Sequence, residues 1–163
     1  MKPRLHISLF CCLLLVFSGA SFAQSQDVIT ESDVLALMNS VDKATKKKNL
    51  AGMIAPLASD VKIKLAVSAP GSEKEQIVNL NKEQFTNVTK RTLRQRFTYT
   101  MERKNTRVKL YDDNKTAMVT SDLYETVTVA QGKVRAVSSE TAIVTLRDGK
   151  LLFISIESRM RLY

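Results

Sequence analysis

Two glutamates fall in phase with apolar side chains on strand-like segments, which makes them the leading candidates for chemistry. Glu125 lies among the alternating apolar residues of segment 116–129, and Glu140 lies among those of segment 134–147. A carboxylate on the buried face of a sheet holds its proton more tightly than one in water, so it can act as a general base or anchor a ligand. The alternative is that a bulge resets the alternation, or that each glutamate reaches solvent near a strand end.

Four further side chains are candidates for a ligand pocket, and one acidic residue is a candidate for the entrance of that pocket. Phe97, Tyr99 and Met101 alternate with polar residues, and Tyr99 and Tyr124 carry hydroxyl groups that can donate to a polar ligand. Core packing is the competing interpretation for Phe97, Tyr99 and Met101. Asp60 opens the first predicted strand, where it either faces a pocket or simply ends a helix-to-strand turn.

A basic stretch between residues 90 and 109 holds eight Lys and Arg residues against one acid, Glu102. At its start, Lys90, Arg91, Arg94 and Arg96 form a candidate surface for an anionic partner, because Arg guanidinium groups match phosphate and carboxylate geometry. The competing interpretation is an ordinary solvated face of a helix and a strand.

The N-terminus has the three parts of a cleavable secretory signal. Lys2 and Arg4 precede an apolar run over residues 7–17, and small residues lead to Ala23. The run is shorter than the ~20 residues that a membrane span needs. We therefore predict a signal peptide over 1–23, cleavage near Ala23, no transmembrane span in the mature chain, and a periplasmic or secreted protein.

Cleavage would change the chemistry that the chain can perform. Cys11, Cys12 and His6 are the only cysteines and the only histidine, and all three lie in the predicted signal peptide. The mature chain would hold no disulfide, no thiolate nucleophile, no Cys/His zinc site and no Ser-His-Asp triad. We expect no metal and no cofactor, and we favour a binding protein over an enzyme.

Charge restricts the class of partner. Loss of Lys2 and Arg4 would leave 23 basic residues against 16 acidic ones, a formal net charge of +7. Such a balance favours anionic partners such as lipid headgroups, envelope polymers or acidic proteins. An exported protein rarely meets nucleic acid, so no nucleic-acid partner is expected.

The hydrophobic pattern places helices first and strands after them. Helical spacing of apolar residues predicts three helices. The first begins at Thr30 or Ser32, and the second follows Asn49 and has Leu57 on its inner side. The third spans 82–94 after the cap Asn81 and has Val88 on its inner side. Alternation predicts strands over the following segments: 61–67, 76–80, 97–110, 116–129, 134–147 and 150–162.

Turn signals join these strands into one domain. Turns at 112–114, 131–132 and 148–149 predict an antiparallel meander, and strands of this length predict strong bending with bulges. The fold class is therefore α+β, with N-terminal helices packed on a strongly curved antiparallel sheet. The domain spans 30–163, after a flexible leader over 24–29.

The ordered set of motifs resembles the nuclear transport factor 2-like superfamily, also called SnoaL-like, with its cystatin-like cone fold. The motifs that carry the likeness are Val34-Leu35-Ala36-Leu37-Met38, Lys48-Asn49-Leu50-Ala51-Gly52-Met53-Ile54, Leu57-Ala58-Ser59-Asp60-Val61-Lys62-Ile63, Leu80-Asn81-Lys82-Glu83-Gln84-Phe85 and Asp148-Gly149-Lys150-Leu151. The resemblance implies a pocket between the curved sheet and the helices, and often a homodimer through the outer face of the sheet. The superfamily contains enzymes, binding modules and secretion-apparatus parts, so the resemblance names no activity.

Three functions remain open from the sequence. The favoured one is an exported, non-enzymatic domain that binds a small ligand or an envelope protein. The first alternative is a small isomerase or lyase of the same fold that uses Glu125, Glu140 or Asp60 as its base, together with tyrosine chemistry. The second alternative is a subunit of an envelope or secretion assembly.

Overall fold

The computed structural model describes residues 28–72, 74–130 and 132–163. The predicted signal peptide and the first residues of the predicted leader lie outside the described residues. Within them, three helices and six strands follow one another in this order: α1 Glu31–Lys46, α2 Leu50–Ile54, β1 Leu57–Ser68, β2 Glu75–Leu80, α3 Lys82–Leu93, β3 Thr98–Leu110, β4 Thr116–Val129, β5 Gly132–Arg147 and β6 Lys150–Leu162. None of the described helices is long and apolar enough to cross a membrane.

Side-chain caps start the helices where the sequence predicts them. The Thr30 hydroxyl accepts from the N–H of Asp33, whose carboxylate accepts in return from the N–H of Thr30 at 2.9 Å. Asn49 caps α2 and Asn81 caps α3 in the same manner, each accepting from a backbone N–H three residues later. The caps therefore set the direction in which each helix leaves the preceding loop.

The leader ends earlier than the sequence predicts. Ile29 is 3% exposed and packs in the core, and its N–H donates to the carbonyl of Asn114 at 2.8 Å. Leu57 was predicted to lie on the inner side of the second helix, but α2 ends before Pro56 and Leu57 already belongs to β1. Leu57 is nevertheless buried, now as the first residue of β1.

The sheet is mixed, and not wholly antiparallel as the sequence predicts. Its strand order is β2-β1-β6-β5-β4-β3, and the β1–β6 pair is parallel while every other pair is antiparallel. Hairpin turns enforce antiparallel pairing only between neighbours in sequence, whereas the long connection from β1 to β6 permits the parallel arrangement. The consecutive strands β3 to β6 do form the predicted meander.

Irregular pairing lets this sheet curve without closing. The register shifts between Leu57 and Lys62, between Lys104 and Arg107, and between Ile143 and Val144. Asn105 has a positive φ of 53° inside the second of these shifts, which marks a bulge in β3. Since the edge strands β2 and β3 do not pair with each other, the sheet stays an open cone, and α1 and α3 pack against it.

Apolar side chains from both layers form one core at the closed part of this cone. Its buried members come from the segment before α1, from α1 and from β1, β4, β5 and β6: Ile29, Val34, Met38, Leu57, Ala58, Val61, Ile63, Ala117, Val119, Ala142, Val144 and Phe153. Some of these core residues, such as Met38 and Phe153, also line a cavity that polar side chains enter.

Candidate functional site

A cavity of about 280 Å³ lies between α1, α3 and the concave face of the sheet, and we call it the cone cavity. Its wall is mainly apolar. Its ionisable side chains are Asp42 from α1, Tyr99 and Arg103 from β3, Glu125 from β4, and Glu140 from β5. A concave, mainly apolar space with a few convergent polar groups is the usual form of a small-molecule site, although 280 Å³ lies just below the common range of about 300–1,000 Å³.

The strand register brings both predicted glutamates to this cavity. Glu125 pairs with Met101 of β3 and Ala136 of β5, and Glu140 pairs with Ser121 of β4. Both therefore lie on the concave face, and no bulge in β4 interrupts the alternation between them. Four residues of β4 separate the two levels, which corresponds to about 13 Å along the strand.

Glu140 belongs to an ion-pair cluster centred on Arg103. The guanidinium of Arg103 donates to both carboxylate oxygens of Asp42, with Nε–Oδ2 and Nη2–Oδ1 distances of 2.9 Å. Its Nη1 donates to Glu140 Oε1 at 2.8 Å and to the hydroxyl of Ser121. The three charged side chains are only 11–18% exposed, so the cluster is largely removed from water.

The cluster is electrostatically satisfied. Burial alone would lower the pKa of Arg103, but the hydrogen bonds and charges of Asp42 and Glu140 outweigh it and raise that pKa above its ordinary value. Arg103 therefore stays charged at physiological pH. A guanidinium shared by two carboxylates ties α1 to β3 and β5, which is a structural role.

Glu125 has different surroundings. Its Oε1 accepts from the hydroxyl of Tyr99, and Ser138 Oγ lies 3.5 Å from its Oε2, at the limit of a hydrogen bond. Among the described residues, no Lys or Arg nitrogen lies within 4.0 Å of this carboxylate. Glu125 thus retains acceptor capacity that faces the cavity.

Tyr99 is held in its neutral form. Burial, followed by the charge of Glu125 and the hydrogen bond to it, raises the pKa of the Tyr99 phenol well above its ordinary value near 10. The phenol is therefore a permanent hydrogen-bond donor under physiological conditions. It directs its proton at Glu125 and leaves the second oxygen of that carboxylate for another donor.

The other sequence candidates are distributed over three places. Met101 lines the cone cavity, and Phe97 lines a neighbouring groove beside α3. Tyr124 does not line the cavity, which corrects the prediction: it lies on the convex face, is 41% exposed, and has Lys104 Nζ 5.1 Å from its ring centroid. The reason is the strict alternation along β4, which sends Tyr124 outward when Glu125 points inward.

Asp60 lies outside the cone cavity. Its exposed carboxylate accepts from Arg147 Nη1 at 2.7 Å, and that hydrogen bond lowers the pKa of Asp60. It lines an open depression of about 590 Å³ along β1 and β2, together with the exposed side chains of Lys62 and Lys64. This depression is larger than the cone cavity, but it is more open to solvent and a smaller share of its lining is apolar, so we place the site in the cone cavity.

The four basic candidates are all exposed. Lys90 and Arg91 lie in the last turn of α3, where they complement the negative end of the helix dipole, and Arg94 and Arg96 follow the helix. Val88, predicted to face inward on the same helix, is 49% exposed at the edge of the groove beside α3.

Sequence reasoning missed several polar residues of the cavity, among them the three that take part in the hydrogen bonds described above: Arg103, Asp42 and Ser138. Arg103 has the same strand phase as Tyr99 and Met101, so extension of the predicted alternation would have found it. Asp42 follows Met38 by one helical turn on the inner face of α1, and Ser138 lies in phase with Glu140. The described residues contain no group of three or more His, Cys, Asp or Glu side chains arranged to hold a metal ion.

Comparisons with known proteins identify the fold. No protein-family model and no curated protein matches the sequence. Among solved structures, the chain is similar to a nuclear transport factor 2-like protein of unknown function from Pseudomonas putida (15% identity, 79% of this chain and 84% of that one, TM-score 0.60). It is also similar to one from Cytophaga hutchinsonii (11% identity, 80% and 98%, TM-score 0.61) and to a ketosteroid isomerase-like protein from Erwinia carotovora (16% identity, 79% and 94%, TM-score 0.59).

The similarities cover most of this chain and most of each solved structure, while the sequence identities are low. Such matches establish how the chain folds and leave its chemistry to the residues of its own cavity. The resemblance predicted from the sequence motifs is thus confirmed at the level of architecture. The chain has the curved-sheet cone fold of the nuclear transport factor 2-like superfamily.

Proposed function

We propose that the protein is an exported, non-enzymatic binding protein whose cone cavity holds a small ligand with an apolar body and one hydrogen-bond donor. The observation that carries this proposal is Glu125, a carboxylate in an apolar cavity that is bound by Tyr99 but has no cation within ion-pair distance in the described part of the chain. A ligand hydroxyl, amide or ammonium group would complete its hydrogen bonding.

The shape and charge of the cavity favour this ligand class. Its volume of about 280 Å³ admits only a small molecule. Three carboxyl groups and one guanidinium line it, so the cavity favours donors and cations and disfavours anions. Apolar side chains such as Met101 and Leu123 would bury the body of the ligand and supply most of its affinity.

Native mass spectrometry of the protein purified from an exporting host tests the proposal. We expect a chain that begins near Gln24 and carries an additional small-molecule mass. A chain with no ligand, present as a homodimer, would instead favour a protein partner or an assembly subunit. An uncleaved N-terminus would contradict export.

Substitution of Glu125 tests the carboxylate itself. Glu125→Gln keeps the shape of the side chain but removes its charge, and a hydrogen bond to a charged group contributes about 1.5–3 kcal/mol. We expect the dissociation constant of the ligand to rise about ten- to hundredfold, so that a smaller fraction of the protein retains it. Glu102→Gln, an exposed glutamate on β3, is the matched control and should leave retention unchanged.

The pair formed by Tyr99 and Glu125 supports one alternative function. A carboxylate beside a protonated phenol resembles a general base beside a hydrogen-bond donor, which suits proton transfer in an isomerase or lyase. Incubation of the extracted ligand with excess and with catalytic amounts of protein separates the two functions. A ligand returned unchanged supports binding, whereas multiple turnovers that Glu125→Gln abolishes would establish the enzyme.

A further inference from the structure

The lining of the cone cavity is acidic, although the protein as a whole is basic. It holds three carboxylates, those of Asp42, Glu125 and Glu140, and one cation, Arg103. The lining therefore has a formal excess of two negative charges, in a chain whose formal net charge is +9. Because charges interact most strongly where apolar walls exclude water, this local excess matters more to a bound ligand than the net charge of the chain.

Arg103 does not supply the positive charge that Glu125 lacks. Its Nε and Nη2 atoms donate to Asp42, and its Nη1 atom donates to Glu140. The register places Arg103 opposite Leu123 of β4, two residues away from Glu125, which corresponds to about 7 Å along the strand. The guanidinium is therefore committed to the other end of the cavity.

Lys48 does not supply that charge either. Among the described residues, it is the one cation that lines the groove beside α3, and Glu125 lines the same groove. The ammonium group of Lys48 donates to the carbonyl of Phe97 and lies 3.8 Å from the centroid of the Phe97 ring, so it is engaged there. A cation that pairs with Glu125 must then come from the ligand.

A second polar side chain beside Glu125 has an incomplete set of hydrogen bonds. Ser138 is 1% exposed and lines the cone cavity, and its hydroxyl lies 3.5 Å from Glu125 Oε2, at the limit of a hydrogen bond. Among the described residues, this hydroxyl makes no other hydrogen bond. Because a serine hydroxyl has two acceptor lone pairs, Ser138 and Glu125 offer two acceptors side by side.

We infer that the donor of the cone-cavity ligand is a protonated primary amine, so that the ligand is a small apolar ammonium ion. The inference rests on the proposed function and narrows its ligand from any hydrogen-bond donor to a cation. The ammonium group donates to Glu125 Oε2 and to Ser138 Oγ, and its charge offsets that of Glu125. The apolar body of the ligand lies against the remaining wall of the cavity, which includes Met101 and Leu123.

Other donor groups fit this end of the cavity less well. A ligand hydroxyl donates one hydrogen bond where two acceptors are present, and it leaves the charge of Glu125 unpaired. A ligand amide also brings a carbonyl oxygen, and the hydroxyl groups of Tyr99 and Ser138, which could donate to it, already donate to Glu125. The free-energy cost of removing Glu125 from water belongs to the folding step, so only the ammonium group must lose its hydration on binding.

Calorimetric titration at neutral pH with three molecules of one carbon skeleton tests the charge of the ligand. Cyclohexylmethylamine, cyclohexylmethanol and cyclohexanecarboxylate have the same number of carbon atoms and are positive, neutral and negative. We expect the amine to bind at least tenfold more tightly than the alcohol, because a hydrogen bond between two charged groups is stronger than one from a neutral donor. The carboxylate should bind most weakly. An alcohol that binds as tightly as the amine would overturn the inference.

Substitution of the two acceptors tests where the amine binds. Glu125→Gln should weaken amine binding at least tenfold, and Ser138→Ala should weaken it about threefold, since each removes one acceptor. Glu102→Gln and Ser139→Ala change exposed side chains of the same types and should leave the affinity within twofold. An amine affinity that Ser138→Ala leaves unchanged would contradict the placement of the ammonium group.

The same titrations separate the inference from the proposed function. If the alcohol binds as tightly as the amine and both lose affinity in Glu125→Gln, the cavity binds a neutral donor, so the proposed function stands and the inference fails. If Glu125→Gln weakens none of the three probes, or if none of them binds, both fail.

Methyl NMR of the methionine residues locates the amine in the wild-type protein. The methyl resonances of Met38 and Met101, which line the cone cavity, should shift when the amine is added. The resonance of Met118 should stay in place, because Met118 precedes the buried Val119 on β4 and so lies on the convex face. A shift of Met118 alone would place the amine outside the cavity and would overturn the inference.

Discussion

Carboxylates lie at both ends of the cone cavity, but they differ in whether a cation pairs with them. At one end, Glu140 and Asp42 share the guanidinium of Arg103, and every charged group has an ionic partner. At the other end, Glu125 has a phenol and a distant hydroxyl, and no cation within ion-pair distance among the described residues. Both glutamates come from neighbouring strands and face the same space.

The difference teaches that position in a cavity does not define a functional carboxylate. A buried charge that is paired and hydrogen-bonded holds elements together, whereas an incompletely satisfied one carries a free-energy cost that a ligand can relieve. The Arg103 cluster therefore accounts for architecture, and the end with Tyr99 and Glu125 accounts for binding. Substitutions at the two ends should separate stability from ligand retention.

The largest effect is expected at Arg103. Arg103→Met removes the only ion-pair partner that two nearly buried carboxylates have among the described residues. It should lower the free energy of unfolding by about 3 kcal/mol, the lower end of the range for buried pairs, because some solvent contact remains. Urea denaturation measures it. Arg107→Met, on the same strand but exposed, should change stability by less than ~0.5 kcal/mol. Equal effects of the two substitutions would show that the cluster is not structural.

The two glutamates should respond unequally to loss of charge. Glu140→Gln keeps one hydrogen bond to Arg103 but removes its charge assistance, so we expect a loss of about 1–2 kcal/mol in the free energy of unfolding. Glu125→Gln should leave stability unchanged or raise it, because it removes a buried charge that has no cation partner among the described residues. Comparable losses for both would erase the distinction between the two ends.

Alkaline pH should act on the functional end through Tyr99. Its folded-state pKa is raised above the unfolded value, so its contribution to stability is complete below about pH 10 and is lost as pH rises above that value. Tyr99→Phe should cost about 1 kcal/mol at neutral pH for the lost hydrogen bond, yet flatten the decline in stability above pH 10. Denaturation curves at neutral and alkaline pH measure both effects. An unchanged alkaline decline in the variant would contradict the buried environment of the phenol.

The smallest effect is expected at Asp60, outside the cavity. Its pKa is lowered by Arg147, so its contribution to stability is complete above about pH 4 and is lost only as pH falls below that value. Because the ion pair of Asp60 with Arg147 is exposed and screened by solvent, Asp60→Asn should lower stability only slightly at neutral pH and should leave ligand retention unchanged. A measurable loss of ligand in this variant would move the site to the exterior of β1.

Much of the fold could be predicted because local chemistry and global packing agree. Thr30, Asn49 and Asn81 cap their helices as their side chains require, and Asp148-Gly149 forms the final hairpin with φ values of 52° and 70°. The parallel pairing of β1 with β6 could not be predicted in the same way, because it depends on contacts between segments that are distant in sequence.

The site could be predicted only in part. Strand alternation correctly oriented Glu125 and Glu140, but it could not reveal that Asp42 on α1 approaches Arg103 across the cavity. The same alternation sends Tyr124 outward. Tyr124 was chosen as a pocket candidate for its hydroxyl group, although its position in the strand next to Glu125 already predicts the opposite face. Pairing between elements, which decides which carboxylate is free, is a property of tertiary structure.

Paired measurement of ligand retention and stability for Glu125→Gln and Glu140→Gln tests the central claim most directly. Native mass spectrometry reports the retained ligand, and urea denaturation reports the free energy of unfolding on the same preparations. We predict that Glu125→Gln loses the ligand and keeps its stability, while Glu140→Gln loses stability and keeps the ligand. A Glu125→Gln variant that retains its ligand, or a Glu140→Gln variant that is fully stable and empty, would contradict the assignment of binding to Glu125.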